Sequence, residues 1–388
     1  MYKIEAVLKS PLMIGGKKLN NNYRESKDYI PGSVLRAAYA RALVLQCACE
    51  QKDNWLVFQA RRECRTCAFK TICEHFSQIS FPALYPMGGS PYPVTARENK
   101  YTKKGETEVF DLLKSRLTER GKVQGESEWI RLEGFHKDGQ KINLIHTAIT
   151  RTAIDYQRNA AKAASLYTQN VVSEQYLNEK NESADVVFSG EIALSPKEEK
   201  ELRQIRVLHI GADATRGFGI CHMFFSGQIS DDTPEQIRER IQEFNSGTDN
   251  EQLFVILDLL TDAYLGLEEI AADDVSQTKI SDDEMLSFLE KKLGLDAEKY
   301  HLKRVFKFQE FYRGMDTSKN TQAQMYRPAR LVVQAGAVFV YQACEKDIDE
   351  EELLQIEKCG IGQYTEHGFG KIRICDRFHV KYDVSGGK

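Results

Sequence analysis

Five of the chain's nine cysteines crowd between Cys47 and Cys73. Cys64-Arg-Thr-Cys67 is a C-x-x-C, preceded by Cys47 and Cys49 and followed by Cys73 and His75. A C-x-x-C turn supplies two of the four thiolate or imidazole ligands that a tetrahedral zinc site requires. The spacing points to a closed structural zinc site of Cys49, Cys64, Cys67 and Cys73, with Cys47 or His75 as alternates. Such a site would pin an insertion too small to have its own core. An iron–sulfur cluster suits the same four cysteines, and buried free thiols are the plain alternative. A thioredoxin-type redox pair would need a strand–C-x-x-C–helix order, which this stretch lacks. Cys221, Cys344, Cys359 and Cys375 stand alone and read as core.

The second group is a repeated loop. Residues Ile210 to Gly219 and Ile361 to Gly370 both read I-G-x-x-x-x-x-G-F-G, each followed by an alternating, strand-like stretch. Glycine admits positive φ and lets another backbone come close, and such loops can press main-chain N–H groups against phosphates. Gly217, Phe218 and Gly219, with Arg216 before them, and Gly368, Phe369 and Gly370, with His367 before them, are candidate RNA contacts. The competing reading is a tight turn in which Phe218 and Phe369 plug the core.

The third group is basic. From Ile145 an alternating strand runs into a polar stretch carrying Arg151, Arg158 and Lys162 and returns through Tyr167. A projecting hairpin of this kind could lie beside an RNA backbone, or could simply be a solvated surface. His136, His146 and His367 could serve as acid or base in metal-independent RNA cleavage. No local pattern pairs them, and no P-loop, H-E-x-x-H or G-x-S-x-G occurs.

These groups need elements to hold them. Ser10 to Gly15 follows an alternating strand, and Thr261 to Gly266 follows the strand-like run Phe254–Leu260. Two copies of one unit, each opening with a strand and closing with a Gly-Phe-Gly loop, account for the pattern. The first copy is about 100 residues longer, so the domains are expected at 1–230, with an insertion at about 46–130, and at 253–388, joined by a linker at 231–252. Pro31-Gly-Ser33 leads into an Ala/Leu/Arg-rich helix for which Ser33 is the expected N-cap. Strands with intervening helices predict an α+β fold, helices on one face of a mostly antiparallel sheet.

Charge is unevenly spread. The net charge of −4 disfavours nucleic acid, but residues 1–170 hold 27 Lys and Arg against 17 Asp and Glu, and the remainder 26 against 40. A basic front half can present a groove to RNA while the whole is near neutral. No apolar run of about 18 residues occurs, and the start reads as a strand rather than a signal peptide, so a cytosolic, cytoplasmic protein is expected.

Tyr29-Ile-Pro-Gly-Ser-Val-Leu-Arg36-Ala-Ala resembles the Y-I-P-G-S-x-L-R-G-A signature of the RAMP superfamily of CRISPR effector subunits, with Ala37 in place of the signature's glycine. The Gly-Phe-Gly loops resemble that superfamily's glycine-rich loop. Arg151-Thr-Ala-Ile-Asp155 with Leu166-Tyr167, Phe110-Asp-Leu-Leu113 after Pro93 to Arg97, and Gly360 to Gly370 resemble the type III-D subgroup called Csx-ten, likened to group-five RAMP subunits. The resemblance implies two tandem ferredoxin-like (RRM-like) domains, the first with the cysteine-containing insertion. It implies a non-catalytic subunit that holds a CRISPR guide RNA at its 5′ repeat-derived end in antiviral defence. The expected partners are other RAMP backbone subunits, the large signalling subunit of a type III complex and, indirectly, target RNA, with no membrane. Ser33 and Arg36 of the signature join the candidate RNA-binding residues. A guide-processing endoribonuclease of the same superfamily, or a subunit capping the 3′ end of the guide, are the alternatives.

Overall fold

The structure is a computed structural model. It describes residues 1–20, 22–47, 62–101, 108–117, 126–163, 165–177, 182–246, 252–267, 282–312, 314, 329–344 and 348–384. The chain forms two compact units, Met1–Gly89 with Ile142–Ser230, and Ser90–Lys141 with Asp231–Lys388. Both mix helices with antiparallel sheet, as the patterning predicts.

In the first unit, alternation along Tyr2–Leu8 turns Ile4, Ala6 and Leu8 inward, and all three are buried. This strand lies at the centre of a five-stranded sheet, antiparallel to Val187–Ile192 on one side and Ile220–Gln228 on the other. Tyr85–Pro86 pairs with the far edge of Val187–Ile192, and Val207–His209 with that of Ile220–Gln228. Helix Gly32–Gln46 contributes Leu35, Tyr39 and Leu43 to the core beneath the sheet. Its N-cap is Pro31, whose carbonyl accepts the N–H groups of Val34 and Leu35, so Ser33 is not the cap but lies inside the first turn.

The described residues around Cys67 and Cys73 pack against this core. Phe69, Ile72, Phe76 and Ile79 share one apolar cluster with Ile4 and Phe188. The first backbone N–H groups of helix Lys70–His75 would otherwise be orphaned, and the Glu201 carboxylate accepts those of Ile72 at 2.7 Å and Thr71 at 3.3 Å. A second, four-stranded sheet joins His146–Arg151, Tyr167–Val172, Tyr23–Ser26 and Gly15–Asn20.

In the second unit, every residue of Phe254–Leu259 is buried. This strand pairs antiparallel with Val338–Ala343 and Ile372–Ile374, and Tyr300–Phe306 lies beyond Val338–Ala343. Both main sheets therefore share one order: Tyr2–Leu8 lies between Ile220–Gln228 and Val187–Ile192, and Phe254–Leu259 lies between Ile372–Ile374 and Val338–Ala343.

Two expected boundaries move. Residues 231–252, expected as a linker, contain helix Pro234–Asn245, started by a reciprocal capping box between Thr233 and Gln236. Its Ile237, Ile241 and Phe244 fill the second unit's core. Residues 90–130, expected inside the first domain's insertion, belong to the second unit. There Val94 N–H donates to Gly336 O at 2.8 Å, Asp111 N–H to Tyr382 O at 2.7 Å, and Leu113 enters the core. Among the described residues no helix is long and apolar enough to cross a membrane.

Candidate nucleic-acid interface

Each closing loop is built by glycines that lie against the protein's own backbone. At Gly219 (φ +68°) a Cβ would collide with the carbonyl of Ile210, and at Gly370 (φ +68°) with that of Ile361. Gly211 and Gly362 lie in the same way against the carbonyls of Met13 and Tyr264. The hydrogen bonds also repeat. Gly219 N–H donates to Pro11 O and Gly370 N–H to Asp262 O, both at 2.9 Å, and a hydroxyl from Ser10 or Thr261 accepts the N–H of the residue after each motif. Each loop then makes one short helical turn, Ala214–Arg216 or Thr365–His367, entered through a left-handed residue, Asp213 (φ 58°) or Tyr364 (φ 62°). Gly217 and Gly368 end these turns with φ of 85° and 80°, and no atom lies within 4 Å of a Cβ at Gly217.

The two phenylalanines face inward. Phe218 is 5% exposed among Met13, Val171 and Ile149, and Phe369 is 9% exposed among Tyr264, Val332, Tyr312 and Tyr364. As candidate RNA contacts they are corrected: their rings are plugs, because the positive-φ glycines on either side turn the chain so that the intervening side chain points into the sheet. Arg36 is engaged within the protein. Its guanidinium donates to Ile79 O at 2.9 Å and lies over the rings of Phe76 and Phe81, fastening its helix to the cysteine-bearing stretch. Ser33 lies half-buried beside it in the same helix.

Other candidates come together on the first unit's surface. Arg216 donates to the Tyr167 hydroxyl at 2.8 Å and to Asp213 at 3.1 Å. Tyr167 is paired across the strands with Arg151, whose guanidinium lies 4.5 Å from the centre of the Phe218 ring. Beyond Arg151 the hairpin narrows to Ile154–Asp155 paired with Ala160–Ala161. The Asp155 carboxylate accepts the N–H groups of Gln157 and Arg158 and so shapes the tip. Tyr156 there is 86% exposed, and Arg158 and Lys162 are exposed as well. The result is a line of cations from the loop along a hairpin to an aromatic tip. Cations and N–H groups of this kind hold phosphates, and exposed rings stack on bases.

The second unit's loop has a different chemistry. Arg330 donates to the Tyr364 hydroxyl at 2.6 Å and lies over the rings of Tyr264 and Tyr364. His367 Nε2 lies 3.6 Å from the Glu366 carboxylate. Arg330 was missed by the sequence reading, although the repeat could have located it, since it occupies the position that Gln169 holds in the first unit.

The cysteines and histidines are placed as follows. Cys49 lies outside the described residues. Cys67 N–H donates to Cys64 O at 3.4 Å, and Cys73 lies in helix Lys70–His75. Burial pushes the Cys73 thiol up to about 12, with the charges of Cys67, Cys47, Glu201 and Cys64 adding to the effect. His75 Nδ1 lies 2.8 Å from Glu198. Among the described residues, no three His, Cys, Asp or Glu side chains are gathered as tightly as a bound ion requires. Cys221 and Cys375 are buried as expected, whereas Cys344 and Cys359, expected as core, are exposed.

His146 Nε2 lies 2.8 Å from Asp28, and burial between Tyr92 and Phe378 pushes His136 down to about 4. A third histidine escaped the sequence reading. His379, fully buried in the second unit, has Nε2 2.6 Å from Asp258 and Nδ1 3.1 Å from Asp111. Burial opposes its charge, but the two carboxylates outweigh that and raise its pKa well above the ordinary histidine value. No local spacing could have signalled this cluster, because its members lie 147 and 121 residues apart in sequence from Asp111 to Asp258 and from Asp258 to His379.

A family model described as the RAMP superfamily matches residues 5–222. No curated protein matches the chain. Among solved structures, the chain is similar to one in a cryo-EM structure of the type III-B Cmr-beta bound to cognate target RNA and AMPPnP. That pair is 9% identical with a TM-score of 0.46, covering 96% of this chain and 98% of that one. A second similar chain, from Cmr-beta bound to cognate target RNA, is 11% identical with a TM-score of 0.43, covering 95% of this chain and 96% of that one. Oligomeric Cmr4 from Pyrococcus furiosus is 13% identical with a TM-score of 0.23, covering 58% of this chain and 97% of that one.

Proposed function

The chain belongs to the RAMP superfamily, and from that premise we propose that it is a non-catalytic RNA-binding subunit of a type III CRISPR effector complex. It works in the cytoplasm beside other RAMP subunits and the large signalling subunit. The observation that carries the reading is the cationic line of Arg216, Arg151, Arg158 and Lys162, which begins at the closing loop and follows one hairpin to its tip. Spaced positive charge on a projecting element matches a single-stranded phosphodiester backbone, whose binding is dominated by ion release. Tyr156 at the tip offers a face to a base.

The finer assignments rest on less. Each main sheet, with its strand–helix–strand–strand–helix–strand order, supports a reading as a ferredoxin-like module, occurring in tandem. The sequence stretches quoted above favour the III-D Csx-ten subgroup and a position at the 5′ repeat-derived end of the guide. A non-catalytic role is favoured by the surroundings of His136 and His146, one enclosed by aromatic rings and the other engaged by Asp28.

The test is guide-RNA binding by the full chain. A variant carrying Arg151→Glu, Arg158→Glu and Lys162→Glu should bind a repeat-derived RNA at least about tenfold more weakly and with a shallower salt dependence. Unchanged affinity would sink the reading. Metal-independent cleavage of a repeat-containing precursor at one fixed site would favour the endoribonuclease instead.

A further inference from the structure

A second set of cations and rings lies on the second unit. Strand Ala96–Asn99 pairs antiparallel with Val109–Asp111 on one side and Trp129–Arg131 on the other. Register puts Phe110, Arg97 and Arg131 in one row across the three strands. Alternation then puts Asn99 and Trp129 on that same face, and Ala96 and Asp111 on the other. Ala96 and Asp111 are fully buried, so theirs is the face turned to the core. The opposite face is open, and its five residues are all half-buried.

The open face is made of planar groups. The rings of Phe110 and Trp129 stack 4.6 Å apart and 13° from parallel. The Arg131 guanidinium lies 3.8 Å from the centre of the Phe308 ring, and Phe308 is itself exposed. Gln334 N–H donates to Phe308 O at 3.0 Å and fixes the chain there. Arg97 donates to Val94 O at 2.7 Å and Ala96 O at 2.8 Å. Among the described residues no carboxylate forms an ion pair with it. Arg131 has one such partner, Glu133 at 2.5 Å, whose side chain is 72% exposed. Like charges directly opposite on neighbouring strands repel, and an ion pair with so exposed a carboxylate offsets little of that. Burial lowers the pKa of Arg97, which Asp111 opposes and Arg131 reinforces.

We propose that this face is a second RNA-binding site, holding a short stretch of a single strand. A phosphate lies between Arg97 and Arg131, and a base lies against the stacked Phe110 and Trp129. The site rests on the reading of the chain as an RNA binder and adds to it a contact in the second unit. An anion between two opposed guanidinium groups replaces their repulsion with charge-assisted hydrogen bonds. Arginine suits the position because its plane rests on Phe308 while its N–H edge bonds a phosphate. Every base has a π face, so such a platform holds the strand without reading its sequence.

Photo-crosslinking of the full chain to a single-stranded RNA carrying 4-thiouridine tests the site. Crosslinks are expected at Phe110, Trp129 or Phe308 as well as at Tyr156 of the hairpin. Arg131→Glu should weaken binding of that RNA at least about fivefold. It should also remove the crosslinks of the second unit and leave the one at Tyr156. Arg131→Lys, which keeps the charge, should recover part of the loss. Should Arg131→Glu fail to fold, the crosslinks of the unaltered chain decide, with Phe308→Ala, at an exposed ring, expected to weaken binding as well. Crosslinks confined to the hairpin, or full affinity in Arg131→Glu, would overturn the proposal and leave the hairpin reading standing. So would protection of this face by a protein partner with no crosslink to RNA. No binding of RNA anywhere would overturn both.

Discussion

Gln169 donates its side-chain amide to the Asp213 carboxylate at 2.8 Å. The bond ties strand Tyr167–Val172 to the residue that turns the closing loop left-handed. In the second unit Arg330 reaches the Tyr364 hydroxyl from the corresponding strand, at 2.6 Å. A left-handed non-glycine residue costs roughly 1–2 kcal/mol, and in each unit a side chain from the strand beneath steadies it. The two loops thus share a backbone and differ in the charge they present.

The glycines should divide by what lies over them. Gly219→Ala and Gly370→Ala drive a methyl group into the carbonyls of Ile210 and Ile361, and each should cost more than about 3 kcal/mol in urea unfolding. Gly217→Ala meets open space and should cost only the positive-φ strain, about 1–2 kcal/mol. Equal losses at all three positions would mean that the close approaches are not what shapes the loops.

Tyr156 and the cations of the hairpin should separate in a salt titration. Tyr156→Ala should weaken single-stranded RNA binding by about 1–3 kcal/mol with the salt slope unchanged. Arg158→Ala or Lys162→Ala should lower that slope by roughly 0.7 each if the residue pairs with a phosphate.

Arg36 should behave as a structural residue. Arg36→Ala removes a hydrogen bond to Ile79 and the cover over Phe76 and Phe81, and a loss of about 1–3 kcal/mol in stability is expected. RNA affinity of the folded variant should stay within about twofold, or roughly 0.4 kcal/mol. A large loss of binding at unchanged stability would restore Arg36 to the interface.

The cluster of His379, Asp258 and Asp111 should give stability a definite pH dependence. His379 has a raised pKa, so its contribution is complete below the unfolded value near about 6.5 and is lost as pH rises through the native value. Asp111 is lowered: burial opposes ionisation, but the charge of His379 and its hydrogen bonds prevail. Its contribution is present above about 3.9 and is lost as pH falls through the native value. Asp258 is raised, because burial outweighs the charge of His379, so its own ionisation opposes folding as pH rises above about 3.9. The support of His379 and Asp111 together is greatest between those limits. His379→Gln leaves two buried carboxylates facing each other and should cost about 3–5 kcal/mol near pH 6. It should also move the decline in stability from the histidine range down to the carboxylate range, as measured by thermal unfolding across pH.

The chain's own order of residues was enough to reveal its duplicated loop, because a glycine at positive φ packed against a carbonyl tolerates no other residue and so leaves a fixed spacing. It also revealed the central strands, since the alternation of Ile4, Ala6 and Leu8 is a local consequence of the pleat. Local pattern could not tell which residues would be neighbours through space. Phe218 turned inward and Arg216 outward within three positions, a choice made by backbone twist rather than residue type. Residues 90–130 join the second unit where Val94 pairs with Gly336 and where the buried Asp111 meets Tyr382 and His379. A buried charge must be satisfied wherever the fold brings a counter-charge to it, and only the tertiary structure decides where that is.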